Sequence, residues 1–384
     1  RTPAMSSKNS FKMAMLAASI ALAMGSTAVM AAAPTATQLP GAGKAVLGTP
    51  TIGTIASGAQ TITLGGNTVI NWGVASGATI NATSQPGGFN IGSGAKLTFD
   101  GGAGANSILN VDVSGNASQI FGQLKYINGT GNLFVANSNG IVVGATAQIS
   151  STSTGTVGLI ANTRGTIAFD GTASDTSIEY QGAGGDVSVA KGATIGGTTV
   201  LVSGGGVVNV DLSAFTSGAV TLNAGVKNSP STLVNDNTAA VLTATGDFAG
   251  PATLASFASA GNASSSGALS LGGNARVDGT LTNTGALTLG SGFAIDGAVV
   301  NNKTMTQSAS ASMGSLVNNG AYTGGGYALY TTDGGITNGA SMTGIGYVQI
   351  ENGGDFVNNG QFVSNSSLDV YGGGNVTNNG QATL

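Results

Sequence analysis

The sequence contains no cysteine and no histidine among its 384 residues. The first absence removes disulfides, thiol nucleophiles and thiolate metal sites. The second removes the commonest general base and metal ligand near neutral pH. Only 7% of the residues are charged and 5% are aromatic, and without a basic cluster the chain lacks the electrostatic footprint of a nucleic-acid-binding protein. We therefore predict no cofactor, no metal site and no nucleic-acid partner.

Glycine is abundant instead, with 66 residues, and 41% of the chain is apolar. The apolar residues alternate with polar ones in short runs separated by glycine-rich turns, which is the pattern of β-strands. Outside the first thirty or so residues no segment has the periodicity of an amphipathic helix. The chain is therefore predicted to be all-β.

A five-residue pattern recurs six times between residues 279 and 378: Gly, any residue, an apolar residue, any residue, Asn. The copies end at Asn283, Asn301, Asn318, Asn338, Asn358 and Asn378, at intervals of 18, 17, 20, 20 and 20 residues. A fixed period near 20 with short apolar strands is the signature of a solenoid in which each repeat is one coil. We predict a parallel β-helix with coils of about 17–20 residues.

The repeated asparagines have two interpretations. They could form a structural ladder, in which each side-chain amide bonds to the coils above and below it while its backbone makes a turn. They could instead form a repeated row of polar ligand-binding groups. The ladder is favoured, because turn positions select asparagine for backbone reasons.

Residues 5–31 have the layout of a secretory signal peptide. Lys8 and Lys12 precede an apolar run over 13–29, and Val29-Met30-Ala31 resembles a small-residue cleavage site. The apolar run is short for a transmembrane helix. Removal of this segment leaves 8 basic and 15 acidic residues, a net charge of −7, which also disfavours binding to anionic lipid.

Five strings then occur in order: VINW (69–72), FNIGSGAKLTF (89–99), SILNVDVSGNASQIFGQL (107–124), GNLFVANSNGIVVGATAQI (131–149) and STSTGTVGLIA (151–161). Together they resemble the amino-terminal secretion domain of filamentous haemagglutinin-like exoproteins, over residues 67–162 and more loosely to about 250. The most specific string is Asn137-Ser138-Asn139-Gly140-Ile141. It matches the Asn-Pro-Asn-Gly-Ile turn of that family, with Ser in place of Pro.

Two features depart from the family pattern. Residues 73–88 separate two strings that are nearly adjacent in the family, which indicates one extra turn or an extruded loop. Ser138 lacks the fixed φ of proline, although Asn139 and Gly140 can still adopt turn conformations. Asn137, Asn139, Gly140 and Ile141 are the secretion motif by this resemblance; the alternative is a β-turn whose asparagines cap backbone groups.

The resemblance implies two-partner secretion, in which an outer-membrane transporter with periplasmic recognition domains exports a chain that folds as a right-handed β-helix. It divides the chain into a signal peptide (5–31), a secretion domain (32–250) and β-helix repeats (251–384). The expected location is the surface or surroundings of a Gram-negative cell. A chain without cysteine also suits passage through an oxidising periplasm in an unfolded state.

The predicted function is that of a non-enzymatic, adhesin-type exoprotein, for which host or bacterial surface glycans or proteins are candidate partners. The alternatives are the leading segment of a large secreted toxin or haemolysin, and a β-helical enzyme that acts on polysaccharides. Because residue 384 falls within a repeat and no capping segment follows, we expect these residues to belong to a longer protein.

The enzyme alternative requires converging carboxylates. Glu179 and Glu351 are far apart in the repeat order. Asp278 and Asp296 are 18 residues apart and each precedes a glycine, so they should lie on consecutive coils. They could bind a surface Ca²⁺, but Asp-Gly is also a turn sequence, and the turn is favoured because further oxygen ligands are not evident.

Overall fold

The computed structural model describes residues 32–152, 154–164, 178–229, 232–273 and 275–384. The expected signal peptide lies outside the described residues. Residues 34–384 belong to one unit. Within the described ranges, no helix is long and apolar enough to cross a membrane.

The described residues form 41 strands and one 3-10 turn, Leu212–Ala214. The first strands are β1 (Lys44–Leu47), β2 (Thr51–Ile52), β3 (Ala59–Thr63), β4 (Thr68–Trp72), β5 (Lys96–Asp100), β6 (Ile108–Asp112), β7 (Ser118–Ile120), β8 (Gln123–Ile127), β9 (Leu133–Ala136), β10 (Ile141–Val143), β11 (Gln148–Ser151) and β12 (Thr156–Ile160). The next are β13 (Asn162–Arg164), β14 (Tyr180–Gly184), β15 (Val187–Val189), β16 (Thr194–Gly196), β17 (Thr199–Gly204), β18 (Val207–Asp211), β19 (Ala219–Ala224), β20 (Val226–Ser229), β21 (Thr232–Asn235), β22 (Val241–Thr245), β23 (Thr253–Ser259) and β24 (Asn262–Ser265). The last are β25 (Ala268–Leu271), β26 (Ala275–Val277), β27 (Leu281–Asn283), β28 (Ala286–Leu289), β29 (Ala294–Asn301), β30 (Thr304–Gln307), β31 (Ala311–Asn318), β32 (Ala321–Thr323), β33 (Ala328–Thr331), β34 (Ile336–Asn338), β35 (Ser341–Ile345), β36 (Tyr347–Ile350), β37 (Phe356–Asn358), β38 (Gln361–Ser364), β39 (Leu368–Val370), β40 (Val376–Asn378) and β41 (Gln381–Thr383).

Most coils pass through three parallel ladders in turn, so the predicted all-β, parallel β-helical fold is confirmed. Ladder 1 contains β4, β6, β9, β12, β17, β19, β23, β26, the first halves of β29 and β31, β33, β36 and β39. Ladder 2 contains β7, β10, β15, β18, β22, β24, β27, the second halves of β29 and β31, β34, β37 and β40. Ladder 3 contains β3, β5, β8, β11 and β16, and then β25, β28, β30, β32, β35, β38 and β41. The right-handed winding stays a prediction.

Residues at equivalent positions of the sequence repeat are paired with each other in these ladders. The six repeated asparagines are paired in order along ladder 2. The apolar centres two residues before them point inward, and from Leu281 to Phe356 they are almost completely buried. Ladder 3 adds a second inward column: Leu287, Met305, Tyr322, Met342 and Phe362. Each coil therefore buries its apolar side chains against the coils on either side.

Antiparallel pairing closes the amino-terminal end of the solenoid. Strand β1 pairs antiparallel with β4, and β2 pairs antiparallel with β3. Residues 73–88 add no strand to a ladder but fold back on this cap, where the Gly43 N–H donates to the Ile80 carbonyl at 2.8 Å. Ile80 is buried there, and Trp72 packs edge-on against Phe89 with ring centroids 6.0 Å apart.

The outer surface of ladder 1 is also covered in the first coils. Strands β13, β14, β20 and β21 form a separate four-stranded sheet. Ile178 and Tyr180 from this region pack on the outward residues Leu109, Phe134 and Ile160. Strands β6 and β9 are consequently buried on both faces.

Ladders 1 and 2 continue through residue 250, where the sequence suggested a boundary. In the described residues, ladder 3 has no strand between β16 and β25. Phe215 fills part of this interval through a bridge to Ile195, directly after the 3-10 turn. The irregular coils thus differ from the regular ones in ladder 3, which is interrupted there, whereas ladders 1 and 2 continue.

The stacked core predicts a large cost for truncating a central apolar residue. Leu316 is fully buried between Val299 and Ile336, so Leu316→Ala should lower the free energy of unfolding by about 2–5 kcal/mol. The outward Val317→Ala is the matched control and should cost clearly less. Urea unfolding followed by circular dichroism would compare them, and equal losses would contradict the assigned inward and outward faces.

Candidate functional site

The motif that the resemblance singles out is a turn between ladders 1 and 2. Asn137 follows β9, and Ile141 begins β10. The Gly140 N–H donates to the Asn137 carbonyl at 3.0 Å, which closes a β-turn. The Asn139 N–H donates to Asn137 Oδ1 at 2.9 Å. Gly140 has φ +120°, a conformation for which glycine is suited because it has no Cβ.

Hydrogen bonds to neighbouring coils hold this turn in place. The Asn137 N–H donates to the Ile160 carbonyl at 2.9 Å. Its side-chain Nδ2 donates to the Asn116 carbonyl at 2.8 Å and to Ser118 Oγ at 3.0 Å. The Asn137 side chain is therefore saturated by contacts within the solenoid.

The network continues from the turn into the cap. Ser118 donates its hydroxyl to Asp112 Oδ2 at 2.8 Å. The same carboxylate accepts the Phe89 N–H at 2.8 Å and, through Oδ1, the Ser114 N–H at 2.9 Å. Asp112 is only 4% exposed, and these donors replace the water that a buried carboxylate loses. The turn is thus tied to the amino-terminal cap through Ser118 and Asp112.

The four motif residues do not form one surface. Asn137, Gly140 and Ile141 are buried, whereas Ser138 and Asn139 are exposed. Asn139 Nδ2 lies 3.3 Å from Asn137 Oδ1, so its amide is oriented at the tip of the turn. A partner that approaches from solvent would meet Ser138 and Asn139, while the other three residues hold them in position.

The second predicted set, the six repeated asparagines, lies at the corner between ladders 2 and 3. Each Nδ2 donates to the Oδ1 of the asparagine in the following coil, from Asn283 to Asn378, at 2.7–2.9 Å. Each also donates to a carbonyl of the next coil in ladder 3, as Asn318 does to Ser341 at 3.0 Å. Oδ1 of Asn283 accepts the Gly285 N–H at 3.0 Å. We call this series the asparagine ladder.

The asparagine ladder faces the interior. Its first five members, through Asn358, have 0% exposure, so their amides are not presented to solvent. A second, exposed row runs outside it, in which Asn319 Nδ2 donates to Asn302 Oδ1 at 3.0 Å and Asn379 Nδ2 to Asn359 Oδ1 at 2.9 Å. At the amino-terminal side, Ser265 occupies the register position of an asparagine beneath Asn283.

The two aspartates considered for Ca²⁺ share an arginine. Arg276 Nε lies 3.0 Å from Asp278, and its Nη2 lies 3.6 Å from Asp296. The guanidinium therefore lies against both carboxylates and offsets their charge. In the ranges that the structure describes, no three acidic side chains are grouped as metal ligands.

Asp112, Ser118 and Asn116 were not singled out from the sequence. They precede Asn137 by 25, 19 and 21 residues, but the first coils have no strict repeat that would show which positions stack. The available signal in the sequence is the position of Asp112 within an apolar string, in a chain with few charged residues.

The sequence has no match to a protein-family model and none among curated proteins. Among solved structures, the fold is similar to the crystal structure of the HMW1 secretion domain from Haemophilus influenzae. The TM-score is 0.40 at 16% sequence identity, and the alignment covers 89% of this chain and 98% of that one.

The buried network predicts that Ser118 stabilises the turn. Ser118→Ala leaves an Asn137 donor and an Asp112 acceptor without this partner and should cost about 1–3 kcal/mol. The control Ser138→Ala changes an exposed hydroxyl at the tip and should cost less than about 0.5 kcal/mol. Unfolding curves and hydrogen exchange at the Gly140 amide would test this; unchanged exchange in Ser118→Ala would argue against the network.

The asparagine ladder predicts a difference between adjacent asparagines. Asn318→Ala removes bonds to Asn301, Asn338 and Ser341, and each buried group left unpaired costs about 1–3 kcal/mol. Asn319→Ala removes an exposed amide from the outer row and should be nearly neutral. Urea midpoints of the two variants provide the measurement, and similar midpoints would show that the inner amides do not stabilise the coils.

Proposed function

We propose that this protein is an exoprotein that crosses the bacterial outer membrane by two-partner secretion and functions as a β-helical surface or secreted adhesin. In this proposal, residues 32–250 are recognised in the periplasm by an outer-membrane transporter. The following coils form the body that is displayed on the cell surface or released. The protein acts through binding and not through catalysis.

The observation that carries the proposal is the turn at residues 137–141. The five sequence strings that resemble the secretion domain lie on consecutive elements from β4 to β12. At the centre of this region, a saturated buried network presents Ser138 and Asn139 at one exposed tip. Asn139 is exposed and its amide is held in one orientation by Asn137, and a preorganised group of this kind gives a short motif specificity for a partner.

The composition supports the same route. A chain that passes a narrow transporter must be unfolded during passage, and this chain has no cysteine with which a disulfide could close a loop beforehand. The contacts that stabilise the solenoid lie between neighbouring coils. They can therefore form one coil at a time as the chain emerges from the transporter.

The experiment is export of the full chain from cells with and without its transporter, taken from the neighbouring gene. We expect release to depend on the transporter. Asn139→Ala removes only the long Nδ2 contact to Asn137 Oδ1 and keeps the backbone bond of residue 139 and the bonds of Asn137 to Asn116 and Ser118, so it should reduce release at least fivefold while the purified variant unfolds close to the wild-type urea concentration. Asn137→Ala should reduce both release and stability.

Asn319→Ala is the matched control, because it also removes an exposed asparagine amide but lies far outside residues 32–250. It should be released like the wild type. Release without the transporter would refute the proposal, as would a folded chain retained in the periplasm. Normal release of Asn139→Ala alone would assign the turn a purely structural role.

A further inference from the structure

The outer surface of ladder 1 carries three tyrosines in its last coils. Tyr330 lies on β33, Tyr347 on β36, and Tyr371 directly after β39. Their strand neighbours Leu329 and Val348 are fully buried, so the alternating tyrosine side chains point outward. Together with three polar residues they form what we call the tyrosine face: Tyr330, Tyr347, Gln349, Glu351, Asp369 and Tyr371.

Aromatic and polar groups alternate across this face. Tyr330, Gln349 and Asp369 are register partners on consecutive coils, about 4.8 Å apart from coil to coil. The Tyr330 and Tyr347 rings meet edge to face with centroids 6.0 Å apart. The result is a surface array of rings and hydrogen-bonding groups over three coils, in which Tyr371 is exposed and the other five residues are half-buried.

Hydrogen bonds orient the groups on the face. Tyr347 Oη lies 2.8 Å from Gln349 Oε1 and 3.0 Å from Asp369 Oδ2. Gln349 donates through Nε2 to Glu351 at 2.6 Å. Partial desolvation and the bond to Asp369 raise the pKa of Tyr347 to about 12, so its phenol stays neutral at physiological pH. Little side-chain freedom is left for a ligand to remove on binding.

Charge restricts which ligand fits. Residues 304–384 contain four acidic residues and no lysine, arginine or histidine. Phosphate, sulfate and carboxylate groups would approach Glu351 and Asp369 without a compensating cation and would be repelled. A neutral sugar avoids this repulsion. Its C–H face can cover a tyrosine ring, and its hydroxyls can donate to the carboxylate and amide oxygens.

We propose that the tyrosine face is a binding surface for neutral glycans. It lies outside residues 32–250, so the inference does not depend on the export proposal. Three rings on successive coils of one ladder match an extended, multivalent ligand better than a single small molecule, because weak contacts become strong through repetition.

The test uses the purified full chain on immobilised lactose, N-acetyllactosamine and maltotriose conjugates, with 3′-sialyllactose and heparin as anionic counterparts. We expect binding to at least one neutral glycan, little loss of binding at 0.5 M NaCl, and no binding to the anionic probes. Tyr347→Ala and Tyr330→Ala should each weaken binding at least tenfold without shifting the urea midpoint appreciably.

Tyr327→Ala is the matched control. Tyr327 is an exposed tyrosine, 42% accessible, but it lies beside Gly325 in the turn before β33 and should bind like the wild type when mutated. Three results would each overturn the proposal: no binding to any neutral probe, binding that survives both tyrosine substitutions, or a preference for the anionic probes.

Discussion

Hydrogen bonds between consecutive coils are the interaction on which the structure depends. A single coil has too little apolar surface to form a core by itself, so its inward side chains become buried only when a neighbour is in place. Along the straight strands the backbone supplies these bonds. At the corners the backbone turns away from the ladder, and side-chain amides supply them instead.

The two asparagine corners meet this requirement in different ways. At the turn of residues 137–141, Asn137 satisfies the backbone locally and binds Asn116 and Ser118 of the preceding coil. At the corner between ladders 2 and 3, Asn283 and its successors bond in series through several coils. The first arrangement leaves Asn139 exposed to a partner, whereas the second keeps its amides inside. Asparagine therefore holds an exposed group at the surface in the first place and joins neighbouring coils in the second.

The regular coils could be predicted from the sequence because their periodicity repeats the structure directly. Asn318 aligns with Asn301 and Asn338 in the sequence pattern, and the same residues are register partners. The bond from Ser118 to Asp112 could not be predicted in this way. It depends on loop lengths in coils of unequal size, where a change of one residue turns a side chain to the opposite face.

The amino-terminal cap and the four-stranded sheet that covers ladder 1 could not be predicted from the sequence for a related reason. The sequence predicts an extra turn or an extruded loop at residues 73–88, but not that this segment folds over residues 41–43 through bonds such as that from Gly43 to Ile80. Phe134 and Ile160 lie on strands whose inward residues already account for the core, so alternation alone does not say what covers their outer side. That cover comes from Ile178 and Tyr180, which are distant in sequence from the β4 and β6 strands they help to bury.

The direction of the asparagine ladder has a consequence for folding kinetics. In the first five members of the series, from Asn283 to Asn358, Nδ2 donates toward the carboxyl terminus, both to the next amide oxygen and to the next coil's carbonyl. A partly folded solenoid therefore ends in an amide with two N–H groups awaiting acceptors, and the arriving coil supplies both. Each addition closes a loop of one coil, at a small entropic cost. The contacts that form at each such step are separated in sequence by about one coil, however many coils have already folded.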